Sequence, residues 1–279
     1  MARIGTGAWW MSAVETVRGA LGEIDPAGAA TSDANAARVL AELRGASGAK
    51  KGDASRQIES TEKKACSEGG VEYEEVQVAL DALTVVVNTA NPVTCMTVDQ
   101  LSEVWNKGST IDSWDQIEGL DADYSESLDL YGPGTDSGTF DYFTEAINGE
   151  EGASRTDYSP SEDDNVTIQG VKGDKGAVGY FGLSYVEQNP DAVKAVEVDG
   201  GDGCVTPTAQ TVQDKTYKPL ARPLFIYVKN SSYKDSEAVR SYVDFYVENE
   251  AKVAELALFI GLTPEQKKTA EDELGSIAG

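Results

Sequence analysis

The sequence has no histidine, and it sets only 23 lysines and arginines against 48 aspartates and glutamates, a formal net charge of −25 over 279 residues. Without histidine, neither Ser-His-Asp nor Cys-His catalysis can be assembled, and the commonest zinc ligand is missing. The shortage of cations argues against nucleic acid and anionic membranes as partners, because both are held by clustered Lys and Arg. Long apolar runs are lacking too: stretches such as 83–87 and 256–260 are about five residues long, far below the roughly 20 that cross a bilayer. Residues 1–21 are interrupted by Ser12, Glu15, Thr16 and Arg18, so they do not read as a secretory signal; the protein is either cytosolic or lacks its exported start. Cysteine is scarce. Cys66, Cys95 and Cys204 are too far apart in sequence for a metal cluster, which leaves one long-range disulfide plus a thiol, or three reduced thiols.

What is present suffices for a real core: apolar residues make up 40% of the chain, enough for one large domain or two ordinary ones. Ser12 with Glu15, and the spacing of Ala36, Val39, Leu40 and Leu43, predict helices over 12–21 and 33–43 in a Gly- and Ala-rich, weakly specified opening fifth. A charged helix over 60–68 stops at Gly69-Gly70. Alternating VEYEEVQVA then leads into ALTVVVN (82–88), whose β-branched run suits a strand buried on both faces. Thr97 and Gln100 form a capping pair that opens a helix with Val98, Leu101, Val104 and Trp105 inward. A strand over 127–131 runs through GPGTDSGT into a helix carrying Phe140, Phe143 and Ile147. The polar stretch 149–165 reads as a surface loop, and the dense glycines of 170–185 as tight turns around a short strand. A strand over 224–228 and helices over 235–247 and 252–260, the latter ended by Gly261, precede a last helix opened by Thr263-Pro264. Strands alternating with helices predict an α/β protein with substantially parallel sheets.

The sharpest local chemistry is GPGTDSGT at 132–139. Gly138 admits a close backbone approach, while Ser137 and Thr139 offer hydroxyls beside the free N–H groups of a helix start, a cradle for a small anion. The plainer reading, which the octapeptide alone favours, is a capped helix after a glycine turn. Asp136 would repel an anion unless that anion carries a proton to donate. An acceptor carboxylate thus favours phosphate, protonated near neutral pH, over sulfate. Asp53 in GDASR could equally be that acceptor, with Arg56 beside it able to clamp oxyanion oxygens; an ordinary surface pair is the alternative.

The motifs GDASRQI, GVEYEEVQVALDALTVVVN, MTVDQLSEVW, DLYGPGTDSGTFDYFTEAI, GDKGAVGYFGLSYVEQN and RPLFIYV, in that order over about 52–249, resemble the phosphate-binding proteins of phosphate-specific ABC transporters. The resemblance implies a two-lobed periplasmic-binding-protein fold of type II with phosphate in the interlobe cleft. Lobe 1 would comprise 1–88 plus 219–279, incomplete and atypical over 1–50. Lobe 2 would be 89–218, with crossings near 87–91 and 219–224. It assigns phosphate contacts to Ser137, Gly138 and Thr139, the proton acceptor to Asp53 and, on charge and nearness, a cationic contact to Arg56. Some members carry an arginine before the serine-glycine-threonine turn; here Pro133 stands there. Thr6, within Gly5-Thr6-Gly7, is a fainter match to a second binding turn. The resemblance also pairs Cys95 with Cys204 and leaves Cys66 without its usual upstream partner.

It further implies a non-enzymatic, extracytoplasmic, monomeric carrier that needs no cofactor or metal and hands phosphate to permease subunits. The opening 50 or so residues are expected to be a truncated, wrongly started or frame-altered version of the family's opening region. Against this stand three other readings: a carrier for another tetrahedral oxyanion, a hydrolase using Ser137 with no lysine base near it in sequence, and a non-binding remnant.

Overall fold

The computed structural model describes residues 53–54, 57–58 and 60–278. The helices expected over 12–21 and 33–43 lie outside the described residues. In chain order, the first elements are β1 (Asp53–Ala54), α1 (Ser60–Glu68), β2 (Tyr73–Val87), β3 (Cys95–Thr97), α2 (Val98–Trp105), β4 (Asp129–Gly132), α3 (Gly138–Asn148) and β5 (Ser159–Pro160). They are followed by α4 (Asp164–Gly173), β6 (Ala177–Gly182), α5 (Leu183–Gln188), β7 (Lys194–Ala195), β8 (Glu197–Asp199), β9 (Cys204–Val205) and α6 (Ala209–Gln213). The last are β10 (Ala221–Lys229), α7 (Asn230–Asp235), α8 (Glu237–Glu248), α9 (Glu250–Leu256) and α10 (Pro264–Ala278).

These elements form two compact units. One is continuous in sequence, Asp81–Ala221; the other is split, its described part running up to Leu80 and resuming at Arg222. The chain therefore changes unit inside β2 and inside β10.

In the continuous unit the sheet order is β2-β6-β4-β5, with β7 also on β2. Residues Ala82, Leu83, Val85, Val86 and Val87 are all at most 2% exposed, as the β-branched run requires. The pleat of β6 sends alternate side chains to opposite layers. Ala177 and Phe181 pack with Ile168 and Val171 of α4. Tyr180, on the other face, stacks on Phe143 of α3 at 3.7 Å and meets Trp105 of α2 edge-on at 5.0 Å. The helix α2 opens with the capping box anticipated for Thr97 and Gln100, and Leu101, Val104 and Trp105 are buried. A small sheet, β3-β8-β9, carries the Cys95–Cys204 disulfide, which closes a sequence separation of 109 residues.

In the split unit, β10 lies between β1 and β2. Val76, Val78, Leu224 and Val228 form the sheet side of a core completed by Tyr233, Val239, Val243 and Val247 from α7 and α8, and by Ala270, Leu274 and Ile277 from α10. The α10 start is fixed by Thr263, whose Oγ1 accepts from Gln266 N–H at 3.2 Å while the Gln266 side chain accepts from Thr263 N–H at 2.9 Å.

Three expectations change. The sheets are mixed, not substantially parallel: β4 runs parallel to β5 and β6, and β3 to β8, but β2 is antiparallel to β6 and β7, and β1 to β10. The stretch expected to be loop and glycine turns contains α4, because Asp163 caps it and Gly170 admits the Tyr131 ring, 2.3 Å from where a Cβ would stand. The helix expected to run to 260 ends at Leu256, where Leu258 turns left-handed at φ 61°.

Candidate functional site

The octapeptide lies where the sequence placed it, between β4 and α3. Ser137 caps α3: its Oγ accepts from Thr139 N–H at 3.2 Å, while its own N–H donates to the Gly134 carbonyl at 3.1 Å and tightens the turn. The Tyr158 hydroxyl donates to the Pro133 carbonyl at 2.8 Å, and the Tyr158 ring lies parallel to Phe140 at 6.4 Å. The turn is thus clamped at its start by a phenol and at its end by a helix. Space around Gly138 is open, with no atom within 4 Å of a Cβ built there.

Tyr131 and Gly132 of β4 pair in register with Ser159 and Pro160 of β5. The two strands therefore end at the same sheet edge, and the chain leaving each enters a helix, α3 and α4. Each helix start carries a partial positive charge, α3 on one face of the sheet and α4 on the other.

A cavity of about 430 Å³ opens beside the turn, lined by Gly134, Asp136, Phe140, Arg155, Tyr158 and Glu162 among others. Sequence reasoning missed Arg155 and Glu162. Arg155 is the single basic residue in the acidic stretch 149–165, a signal that could have drawn attention to it. It is 7% exposed. Its Nε and Nη2 fork onto Asp157 at 2.6 and 2.8 Å, and Nη1 donates to the carbonyls of Val104 at 3.1 Å and Ile111 at 2.7 Å. The hydrogen bond from Arg155 holds the Asp157 carboxyl below its ordinary value, so the charge of Arg155 is balanced by a partner of its own. The Glu162 carboxylate lies against Gly134, where a Cβ would come within 2.0 Å of its Oε1.

The acidic rim has a price in charge. Burial, then Asp163 and Glu162, raise the half-buried Asp164 carboxyl from 3.8 to about 6. A raised carboxyl keeps its proton in the folded state over that window, so its contribution to stability falls as pH rises through it. Asp164→Asn should therefore be more stable than the parent at pH 7 by on the order of 2 kcal/mol, an advantage that vanishes below about pH 4. Urea unfolding of both proteins across that range measures it; an equal difference at every pH would refute it.

The predicted residues divide between the units. Ser137, Gly138, Thr139 and the exposed Asp136 sit together at the turn of the continuous unit. Asp53 belongs to the split unit, in β1, paired antiparallel with Ile226 of β10. Arg56 and Thr6 lie outside the described residues. Cys95 and Cys204 are bonded, and Cys66 is a half-buried free thiol. Among the described residues, no group of three or more Cys, Asp or Glu could hold a metal ion, and no helix is long and apolar enough to cross a membrane.

The chain matches a PBP superfamily domain over residues 52–250. It is 44% identical over 216 residues to the protein SphX of Synechocystis sp., an alignment covering 76% of this chain and 64% of SphX. It is 34% identical over 223 residues to the phosphate-binding protein PstS of Staphylococcus haemolyticus, covering 79% and 67%. The chain thus spans just under two thirds of the length of SphX. Among solved structures, a possible phosphate-binding protein from Planctomyces limnophilus superposes with a TM-score of 0.76 at 34% identity, over 88% of this chain and 94% of that one. With a PBP domain over most of its length, the chain belongs to the PBP superfamily, in the family that includes SphX and the phosphate-binding protein PstS.

Proposed function

We propose that this chain binds inorganic phosphate and delivers it to the permease of an ABC transporter, without covalent chemistry. The observation that carries the reading is the turn 133–139, which presents a hydroxyl cap and helix-start amides in a chain 34% identical to a phosphate-binding protein. Phosphate oxygens take N–H groups at the start of α3 and the hydroxyls of Ser137 and Thr139. The Ser137 Oγ, already accepting from Thr139 N–H, keeps its own hydrogen to donate. Asp53 accepts the ligand's proton, Asp136 being the weaker choice, and Arg56 supplies positive charge. On this reading the chain divides into lobes 1–88 plus 219–279 and 89–218. The Cys95–Cys204 bond supports an oxidising, extracytoplasmic setting, and the carrier works as a monomer.

Isothermal titration of the purified chain with phosphate and with sulfate tests this. Heat with phosphate and none with sulfate is expected, together with a narrower preference in Asp53→Asn, which lacks the carboxylate that penalises an unprotonated ligand. Equal heats with the two anions would make the protein a carrier of another oxyanion. Silence with both would make it a non-binding member of the family.

A further inference from the structure

Glu75 of β2 gathers three donors from two segments, residues 57–58 and β10. Its Oε1 accepts from the Gln57 side chain at 3.1 Å, and its Oε2 accepts from Ile58 N–H at 3.3 Å and from the Tyr227 hydroxyl at 2.7 Å. Tyr227 follows Ile226, the residue of β10 that pairs with Asp53. Its ring stands edge-on to Tyr73, two residues before Glu75 on the same strand face, at 5.8 Å. Burial, then the bond to Glu75, push the Tyr227 phenol up, which keeps it a donor at any physiological pH.

Residues 53–54 and 57–58 are therefore each held, by different partners. Before Arg56, Asp53 and Ala54 are paired with Ile226 and Phe225. After it, Gln57 and Ile58 are tied to Glu75. β1 is only two residues long, so strand pairing alone is a weak anchor. We propose that Glu75 is a positioning residue for phosphate binding: it holds Gln57 and Ile58 against β2, beside the pairing of β1 with β10, so that Asp53 meets the ligand already placed. This rests on the phosphate reading above. The core of the split unit does not depend on it, because Val76, Val78, Leu224 and Val228 pack with α7, α8 and α10.

The test is phosphate titration of the full chain and its variants. Glu75→Ala is expected to weaken phosphate binding roughly tenfold, the size of effect that follows loss of an orienting partner. Glu75→Gln, which keeps an acceptor oxygen, should recover part of that loss. Tyr227→Phe, which removes the phenol's bond to Glu75 and leaves the carboxylate in place, should cost about two- to threefold and guards against a Glu75→Ala protein that does not fold. The decisive readout is a double-mutant cycle: in an Asp53→Asn background, Glu75→Ala should change affinity less than about twofold, because the contact it serves is already damaged. Unchanged affinity in Glu75→Ala and Tyr227→Phe, or the same tenfold loss in both backgrounds, overturns the proposal while leaving phosphate binding intact. A parent protein that takes no phosphate overturns the underlying reading, and the positioning role with it.

Discussion

Replacing Cys95 and Cys204 together with alanine is expected to lower stability by about 4–5 kcal/mol, the chain-entropy value for closing a loop of about 100 residues. The bond joins residues 109 apart in sequence, so it removes a large share of the unfolded chain's freedom. What remains to hold the same place is slight. β9 is two residues long and meets β8 through two residue pairs, Val198 with Val205 and Asp199 with Cys204. The connection between them passes through Gly201 and Gly203, both at positive φ, with N–H groups bonded to the Asp199 carboxylate at 2.7 and 2.9 Å. Such a turn keeps its local form without the disulfide but does little to secure the small sheet. Urea unfolding followed through the buried Trp105 and Trp114 reports the loss, and reductant added to the parent should reproduce it. A change under about 1 kcal/mol would show that the unfolded chain is already confined in this region.

Arg155→Met is expected to cost about 2–4 kcal/mol, and the cause lies in the carbonyls more than in the ion pair. Asp157 is 65% exposed, so water can solvate it when its partner goes. The carbonyls of Val104 and Ile111 belong to the end of α2 and to the loop after it, and each would lose its guanidinium donor. Asp157→Asn should accordingly cost much less, about 1 kcal/mol or below. Arg155→Lys keeps the charge but not the fork, and should behave closer to methionine than to arginine. Thermal or urea unfolding of the three variants separates these contributions. A larger loss for Asp157→Asn than for Arg155→Met would mean that the ion pair, and not the two carbonyls, holds the segment.

Local signals carried far in this chain. The run 82–88, the Thr97 capping box, the Thr263-Pro264 start of the last helix, and the turn between a strand and a helix at 132–139 all depend on neighbours within a few residues, and all are present. The motifs shared with phosphate-binding proteins supplied the fold and the Cys95–Cys204 pairing, which spacing alone had left open. Strand direction was not legible, because side-chain alternation is the same in parallel and antiparallel pairs; only the path of the connections decides it. α4 hid in a polar, glycine-rich stretch because its buried face is narrow, Thr167, Ile168 and Val171, and because Gly170 serves contact with Tyr131 and not a turn. The ties made by Glu75 were equally invisible, since their partners lie 17, 18 and 152 residues away in sequence.

The change of unit inside β2 and again inside β10 also sets an order of events during synthesis. Residues 81–221 form one uninterrupted stretch, so every strand and helix of the continuous unit has been synthesised before 222–279 is made. At about 5–20 residues per second that gap lasts several seconds, ample time for a domain to fold. The split unit has no such opportunity: residues 73–80 of β2 wait for β10, and Val76 and Val78 stay without their α8 and α10 partners until residues 237–278 have been made. For that interval the nascent protein carries a finished unit beside an unfinished apolar strand, which makes the split unit the place where a chaperone would be needed.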